Sequence, residues 1–347
     1  MNGRERILTA LSRKQPDKVP TMEWVINPHV IESIAGYTSD VRFVSEYDID
    51  GIAVPLMYRN ERVDDDHYID EWQITRRSHD EYPTPTKHPI SAPMDLRSYV
   101  VPDPDDDYRY TRIMNVMKEI GKEKAVVPRV KDVFSMPRDM MGFENFLMSF
   151  YLEPALAHDL IEMSVEHSIK IAKNLKSLGV EIIVIGDDIA NNTGLLISPD
   201  MYRAQVYPSF KRLVGEFKKM GLMVIKHTDG DLRAILAELV ESGIDCLDPI
   251  DPLGNMDMKY MKQMYGDKIA LKGNVDCVHT LVDGTLDDVE RDVKRCILQG
   301  SVGGGHIISS SNTVHIGINA QNYKYFLECV GKYGKYPLDI DELKRES

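Results

Sequence analysis

The sequence predicts an α/β protein folded as one (β/α)8 TIM barrel, with an N-terminal helix and an excursion after the second strand. Three observations predict it. Eight short apolar runs recur along the chain, most of them followed by a helical pattern, and such alternation builds a parallel sheet. Eight such units suit a closed barrel better than an open sheet. The 347 residues are long for an ordinary domain but normal for a single barrel. The whole chain, 1–347, is therefore expected to be one domain, with about 60–124 as its insertion.

The opening "RERILTALSRKQP" carries charges and no signal-peptide core, and reads as a short amphipathic helix ending before Pro16. The strands follow in order: "KVPTMEWV" (18–25), "GIAVPLMY" (51–58), "AVVPRV" (125–130), "EIIVIGDD" (181–188), "LMVIKH" (222–227), "DCLDPI" (245–250), "KIALKGN" (268–274) and "HIISSS" (306–311). Pro128 is awkward in a buried strand because it has no N–H to donate. Between them lie helical patterns. "SPDMYRAQVYPSFKRLVGEFKKMG" opens on a Ser-Pro start signal and ends at Gly221. "DLRAILAELVESG" has apolar residues at helical spacing. "TLDDVERDVKRCILQG" puts acids in its first turn and bases later, as the helix dipole prefers. The insertion, rich in Asp, Pro and Tyr, is expected to hold a small hairpin and then the helix "YTRIMNVMKEIGKE". The Met- and Phe-rich "DVFSMPRDMMGFENFLMSFYLEP" reads as two amphipathic helices or as an apolar wall over a pocket. The run of acids in "PDDDY" reads as a solvated loop, and the glycines at 303–305 as the turn into the last strand.

A net charge of −13 argues against nucleic acid, whose phosphates need clustered Lys and Arg, and against anionic membrane surfaces. No apolar run reaches the roughly 18 residues that a transmembrane helix needs. Four cysteines without a tight framework (Cys246, Cys277, Cys296, Cys329) fit a reduced, cytoplasmic setting.

Active sites of such barrels lie at the carboxyl ends of the strands. The residues there are Glu23, Trp24 and Asn27; Tyr58 and Arg59; Arg129, Lys131 and Asp132; Asp187 and Asp188; His227 and Asp229; Asp248 and Asp251; Asn274, Asp276 and Cys277; and Ser309 to Asn312 with His315. Acids, amides and imidazoles converging on one mouth are expected to bind something. His227, Asp229 and Asp251, with Asn312 or His315, offer donors of the kind zinc accepts. The bland alternatives are a core histidine for His227, and helix N-caps for Asp229 and Asp231, which precede "LRAILAELV". Arg129 or Arg59 could anchor a carboxylate.

The ordered motifs "RERILTALSRKQPDKVP", "GDDIANNTGLLISPDMYRAQVYPSFKRL", "KHTDGDL", "GIDCLDPIDPLGNMD", "KGNVDCVHTL" and "GGGHIISSSNTVHIGINAQNY" resemble the uroporphyrinogen decarboxylase superfamily almost end to end. That resemblance implies an α/β barrel acting either as a porphyrinogen decarboxylase or as a corrinoid- or coenzyme M-linked methyltransferase. The decarboxylases carry an Arg-rich motif after the first strand and an Asp after the second. Here "MEWVINPHVIE" and "GIAVPLMYRN" stand there instead. The methyltransferases hold zinc with His-x-Cys after strand five and a Cys after strand eight. Here those positions read His227-Thr228-Asp229 and about Asn312, so oxygen donors replace thiolates. The implied activity is transfer of a methyl group from a small, methoxylated aromatic donor to a corrinoid protein, as in anaerobic O-demethylase systems.

On that resemblance the expected metal ligands are His227, Asp229, Asp251 and Asn312, with zinc as the metal. The reacting groups are His227, Asp229, Asp187 and Asn274. Substrate contacts are expected from Glu23, Trp24, Tyr58, Arg129, Asp188, Asp276 and His315, with Phe134 a further aromatic. The corrinoid is expected on a partner protein, since no D-x-H-x-x-G motif is present. A homodimer is the assembly considered. The alternatives are a carboxy-lyase for a small acid and a non-catalytic ligand-binding barrel.

Overall fold

The fold is that of a computed structural model, which describes residues 1–78 and 83–345. Its centre is a curled parallel sheet of seven strands, a half-barrel. In chain order the strands of the protein are β1 (Gly51–Pro55), β2 (Asn60–Arg62), β3 (His67–Asp70), β4 (Thr75–Arg77), β5 (Thr84–Lys87), β6 (Ala125–Lys131), β7 (Ile182–Gly186), β8 (Ala190–Asn191), β9 (Gly194–Leu195), β10 (Met223–His227), β11 (Cys246–Asp248), β12 (Ala270–Lys272) and β13 (His306–Ile307). The parallel sheet runs β1-β6-β7-β10-β11-β12-β13, each neighbour one crossover further along the chain.

Two expectations need correction. The first expected strand, 18–25, joins no ladder. Pro20 has no N–H, and the Asp50 carboxylate takes the Thr21 N–H at 3.0 Å. What remains are isolated bridges, Lys18 to Lys335 and Thr21 to Ile308, with the Ile308 N–H donating to Pro20 at 2.9 Å and the Asp50 N–H to Thr21 at 2.9 Å. Both edges of the sheet therefore meet the segment around Thr21. The excursion holds not a hairpin but a four-stranded antiparallel sheet, β2-β3-β4-β5, followed by helices Pro93–Ser98 and Thr111–Ile120. Pro128 is accommodated because the pairing of β6 with β7 begins one residue later, at Arg129.

The helices form where the capping chemistry allows. Asn2 and Glu5 make a capping box for Gly3–Leu11. Ser198 caps the helical stretch that runs through Lys219, and Thr285 with Asp288 caps Leu286–Cys296. Three successive left-handed glycines, Gly303 to Gly305, turn the chain into β13, and a Cβ on Gly304 would lie 2.5 Å from the Lys14 backbone.

Alternation along the strands divides the core in two. Met22, Ala125, Val127, Ile182, Val184, Ile225, Cys246, Ala270 and Ile307 pack together inside the sheet. Ile7, Ala10 and Leu11 of the N-terminal helix join them and plug the amino end. Their neighbours of opposite parity, such as Val54, Ile183, Val224 and Leu271, pack outward with the surrounding helices.

Candidate active site at the carboxyl ends of the strands

The interior parity that gives an apolar layer below gives a polar one above. Two residues beyond Val127 and Val184 come Arg129, then Lys131, and Gly186; beyond Ile225 and Cys246 come His227 and Asp248; beyond Ala270 comes Lys272. Arg129, Lys131, Gly186, Asp188, His227 and Asp229 line one cavity of about 820 Å³, closed on its far side by Tyr58, Trp72 and Arg76 of the excursion and by Arg138 and Asp139.

His227 is buried and held from two sides. The Trp24 ring lies parallel to its imidazole, centroids 4.1 Å apart. Its Nδ1 is 2.8 Å from Asp248 Oδ2, and the other Asp248 oxygen accepts from Lys272 at 2.7 Å. Burial pushes the Asp248 carboxyl up, but Lys272 and His227 outweigh it and hold it at about 2. With Asp248 ionised, Nδ1 is the donor and Nε2 is left facing Asp229 Oδ1 at 3.6 Å. Burial disfavours the imidazolium, yet Asp248, Asp229 and Asp188 together raise the His227 pKa.

Asp229 is the least settled group of the site. Asn312 donates to its Oδ2 at 2.5 Å, while its buried Oδ1 has no hydrogen-bond partner among the described residues. Burial pushes its carboxyl up to about 6, with Asp188 and Asp251 adding to the effect and His227 opposing it. One donor atom each from Asp188, His227 and Asp229 lies within 4.8 Å of the others. An orphaned oxygen beside a histidine nitrogen, with the other ring nitrogen fixed by a carboxylate, suits a divalent metal with mixed N and O ligands. Neither acid is the N-cap of the following helical turn, which is Leu232; Asp231, one residue earlier, accepts the Arg233 N–H at 3.2 Å.

The remaining expected residues divide by position. Trp24, Tyr58, Arg129 and Asp188 line the cavity beside His227. His315 and Asp251 line a smaller adjoining cavity that shares Asp229 and Asn312. Asp251 is not in the group of converging donors, because its two oxygens accept the Gly230 and Leu253 N–H groups at 3.0 and 2.9 Å. Asp187 reaches the cavity edge but has outward parity, and it accepts the Phe134 and Ser135 N–H groups at the start of helix Ser135–Met141. Asn274 is buried with both ends of its amide occupied, donating to Ile250 O at 2.8 Å and accepting from Arg295 at 3.1 Å. Glu23 also points outward and accepts from the Ser310 hydroxyl at 2.7 Å. Asp276 folds back on the Val278 and His279 N–H groups at 2.7 and 2.9 Å. Phe134 packs with Phe146 and Phe150, and Arg59 pairs with Asp106 at the surface.

The URO-D (uroporphyrinogen decarboxylase) family profile matches residues 74–333. The chain belongs to the uroporphyrinogen decarboxylase family. A methylated-thiol–coenzyme M methyltransferase of Methanosarcina mazei is 24% identical over 70% of this chain and 65% of its own length. The methylcobamide:CoM methyltransferase MtaA of Methanosarcina barkeri is 22% identical over 54% of this chain and 53% of its own. The alignments thus span between half and two thirds of these relatives. Uroporphyrinogen decarboxylases are among the similar proteins as well. A solved methyltransferase from Methanosarcina mazei superposes with a TM-score of 0.74 at 17% identity, covering 96% of this chain and 99% of that one, and so shares the fold.

For this family member, sequence reasoning missed Lys272 and the Arg76–Asp139–Arg138 group. Lys272 was legible as the inward residue two beyond Ala270. The others were not, since the insertion and the Met-rich helices fold over the mouth from a distance in sequence.

Proposed function

We propose that the protein is a methyltransferase that passes a methyl group from a small methoxylated aromatic donor to a corrinoid carried by a separate protein. The observation that carries the reading is Asp229 Oδ1, without a hydrogen-bond partner among the described residues, beside His227 Nε2 in a cavity roomy enough for a substituted aromatic ring and lined by Trp24. The methylcobamide and thiol methyltransferases among the relatives support methyl transfer. Their family's metal would be held here by His227, Asp229 and Asp188, with Asn312 steadying Asp229. When bound, a zinc-like ion would supply Lewis acidity to an ether oxygen, a task suited to harder, oxygen-rich ligands.

The chain's own residues do the rest. Asp248 and Lys272 fix the His227 tautomer, so that Nε2 stays available. Trp24 and Tyr58 hold an aromatic ring flat and exclude water. Without a metal, Asp229 or His227, each with a raised pKa, can instead hold a proton close to the leaving oxygen as its negative charge grows. A second reading has a specific observation behind it: Asp229 and His227 at 3.6 Å can also share a proton as the acid–base pair of a carboxy-lyase.

Metal content by mass spectrometry separates the two readings. About one metal per chain in the wild type, lost in His227→Ala, is the expected result. Methyl transfer from methoxybenzenes to a cobalt(I) corrinoid is then measured directly. A metal-free wild type prepared without chelator, together with carbon dioxide release from an aromatic acid, would favour the carboxy-lyase.

A further inference from the structure

Three lysines stand at the carboxyl ends of barrel strands, and one differs from the others. Lys226 pairs with Asp132 at 2.6 Å and Lys272 with Asp248 at 2.7 Å, both buried. Lys131 lines the cavity; its backbone carbonyl accepts from the Ser168 hydroxyl at 2.9 Å, but its ammonium makes no hydrogen bond or ion pair among the described residues. The other charges nearby are already matched. Arg76 bonds Asp70 at 2.6 Å and Asp139 at 3.1 Å, and Arg138 bonds Asp139 at 3.1 Å. Those two arginines and two aspartates cancel, and although the Asp187 carboxylate also acts on it, no acid among the described residues pairs directly with the Lys131 ammonium. Burial lowers its pKa; Asp139 and Asp187 oppose that, and Arg76 and Arg138 add to it. An anion brought to this spot would relieve the strain on the cation.

The position of Lys131 relative to the reacting groups is fixed by strand register. Lys131 pairs with Gly186, and Gly186 with His227. Two strand spacings separate Lys131 from His227, about 10 Å between backbones. Gly186 has no side chain to fill the gap, and the Trp24 indole lies over it. Arg129 lies two residues before Lys131 on the same face, its guanidinium 5.3 Å from the centroid of that indole. The slot is thus floored by an aromatic ring, with a cation at one end and His227, Asp229 and Asp188 at the other.

We propose that Lys131, with Arg129 beside it, is an anion subsite that takes the carboxylate of an aromatic acid whose other end lies at His227 and Asp229. Naming that acid as the methyl donor rests on the methyl-transfer reading; the subsite itself does not. Benzoate and its uncharged counterpart benzamide are the test ligands, titrated by calorimetry into the full-length wild type, Lys131→Met and Lys131→Arg. Benzoate is expected to bind at least about tenfold more tightly than benzamide, as a hydrogen bond to a charged group warrants. Lys131→Met abolishes that preference and Lys131→Arg keeps most of it. Equal binding of the two ligands to the wild type, or no binding of either, overturns the proposal even if Lys131→Met fails to fold. Benzoate preference undiminished in a folded Lys131→Met also overturns it. Methyl transfer from uncharged methoxybenzene without a benzoate preference would sink this subsite alone. A benzoate preference without any methyl transfer would sink the methyltransferase reading alone.

Discussion

At the scale of single residues, Asp229 carries the most consequence. Its carboxyl is raised to about 6, so it stabilises the folded chain only while protonated. That contribution is complete below the unfolded value near 4 and is lost as pH rises through about 6. Asp229→Asn removes the burden. It is expected to be more stable than the parent above pH 6, by on the order of 2 kcal/mol, with the gain fading toward pH 4. Thermal unfolding of both proteins across that range checks it; a gain that is the same at every pH would contradict the assignment. The sequence made His227 and Asp229 legible because nothing apolar or turn-forming explains a histidine at a strand end. It could not assign their partners. Asp248 reads from sequence as one more acid after a strand, and only the pairing of β10 with β11 brings it to His227 Nδ1.

At the scale of strands and helices, parity decides which polar residues face the site. Asp187 and Asp188 are adjacent, yet Asp187 belongs to the outward set with Lys226 and Asp132. Lys226 reaches Asp132 at 2.6 Å and the Asp187 carbonyl at 3.2 Å. Lys226→Met is therefore expected to cost about 3–5 kcal/mol in urea unfolding, because it leaves Asp132 buried and unpaired. Ligand affinity of the folded fraction should change little. The same period-2 reasoning applied to the sequence would have placed Asp187 and Glu23 outside, and it does place Lys272 inside. Gly186 is the complementary case. A Cβ there would lie 2.8 Å from Trp24. Gly186→Ala is expected to displace the indole and weaken aromatic ligand binding about tenfold or more, at a modest loss of stability. Unchanged affinity in calorimetry would show that the indole is not the floor.

At the scale of the whole molecule, the barrel-like order was readable because each apolar run is short, bounded and followed by helical periodicity. The four-stranded sheet of the insertion was not readable. Its strands are three or four residues long, mostly exposed or half-buried, and carry no alternation to detect. The N-terminal helix has a global role that its weak amphipathicity understates. Ile7, Ala10 and Leu11 seal the amino end of the interior, and Leu11 is fully buried. Leu11→Ala is expected to destabilise the entire fold by about 2–5 kcal/mol while the mouth, at the opposite end, keeps its ligand affinity. Chemical denaturation, paired with ligand titration of the folded protein, checks both halves.

The segment around Thr21 joins the two edges of the sheet with a handful of hydrogen bonds where a full strand would supply a ladder. Backbone amides there have less holding them than those of β7 or β10. In deuterated water they should exchange before the amides of the central parallel sheet, as a local opening rather than a global one. Trp24 rides on this same segment, three residues from Thr21. The floor of the pocket is thus hung on the barrel's least-stitched seam. A ring bound against Trp24 would slow deuterium uptake there, far more than at the sheet's centre, and exchange would report occupancy without any turnover.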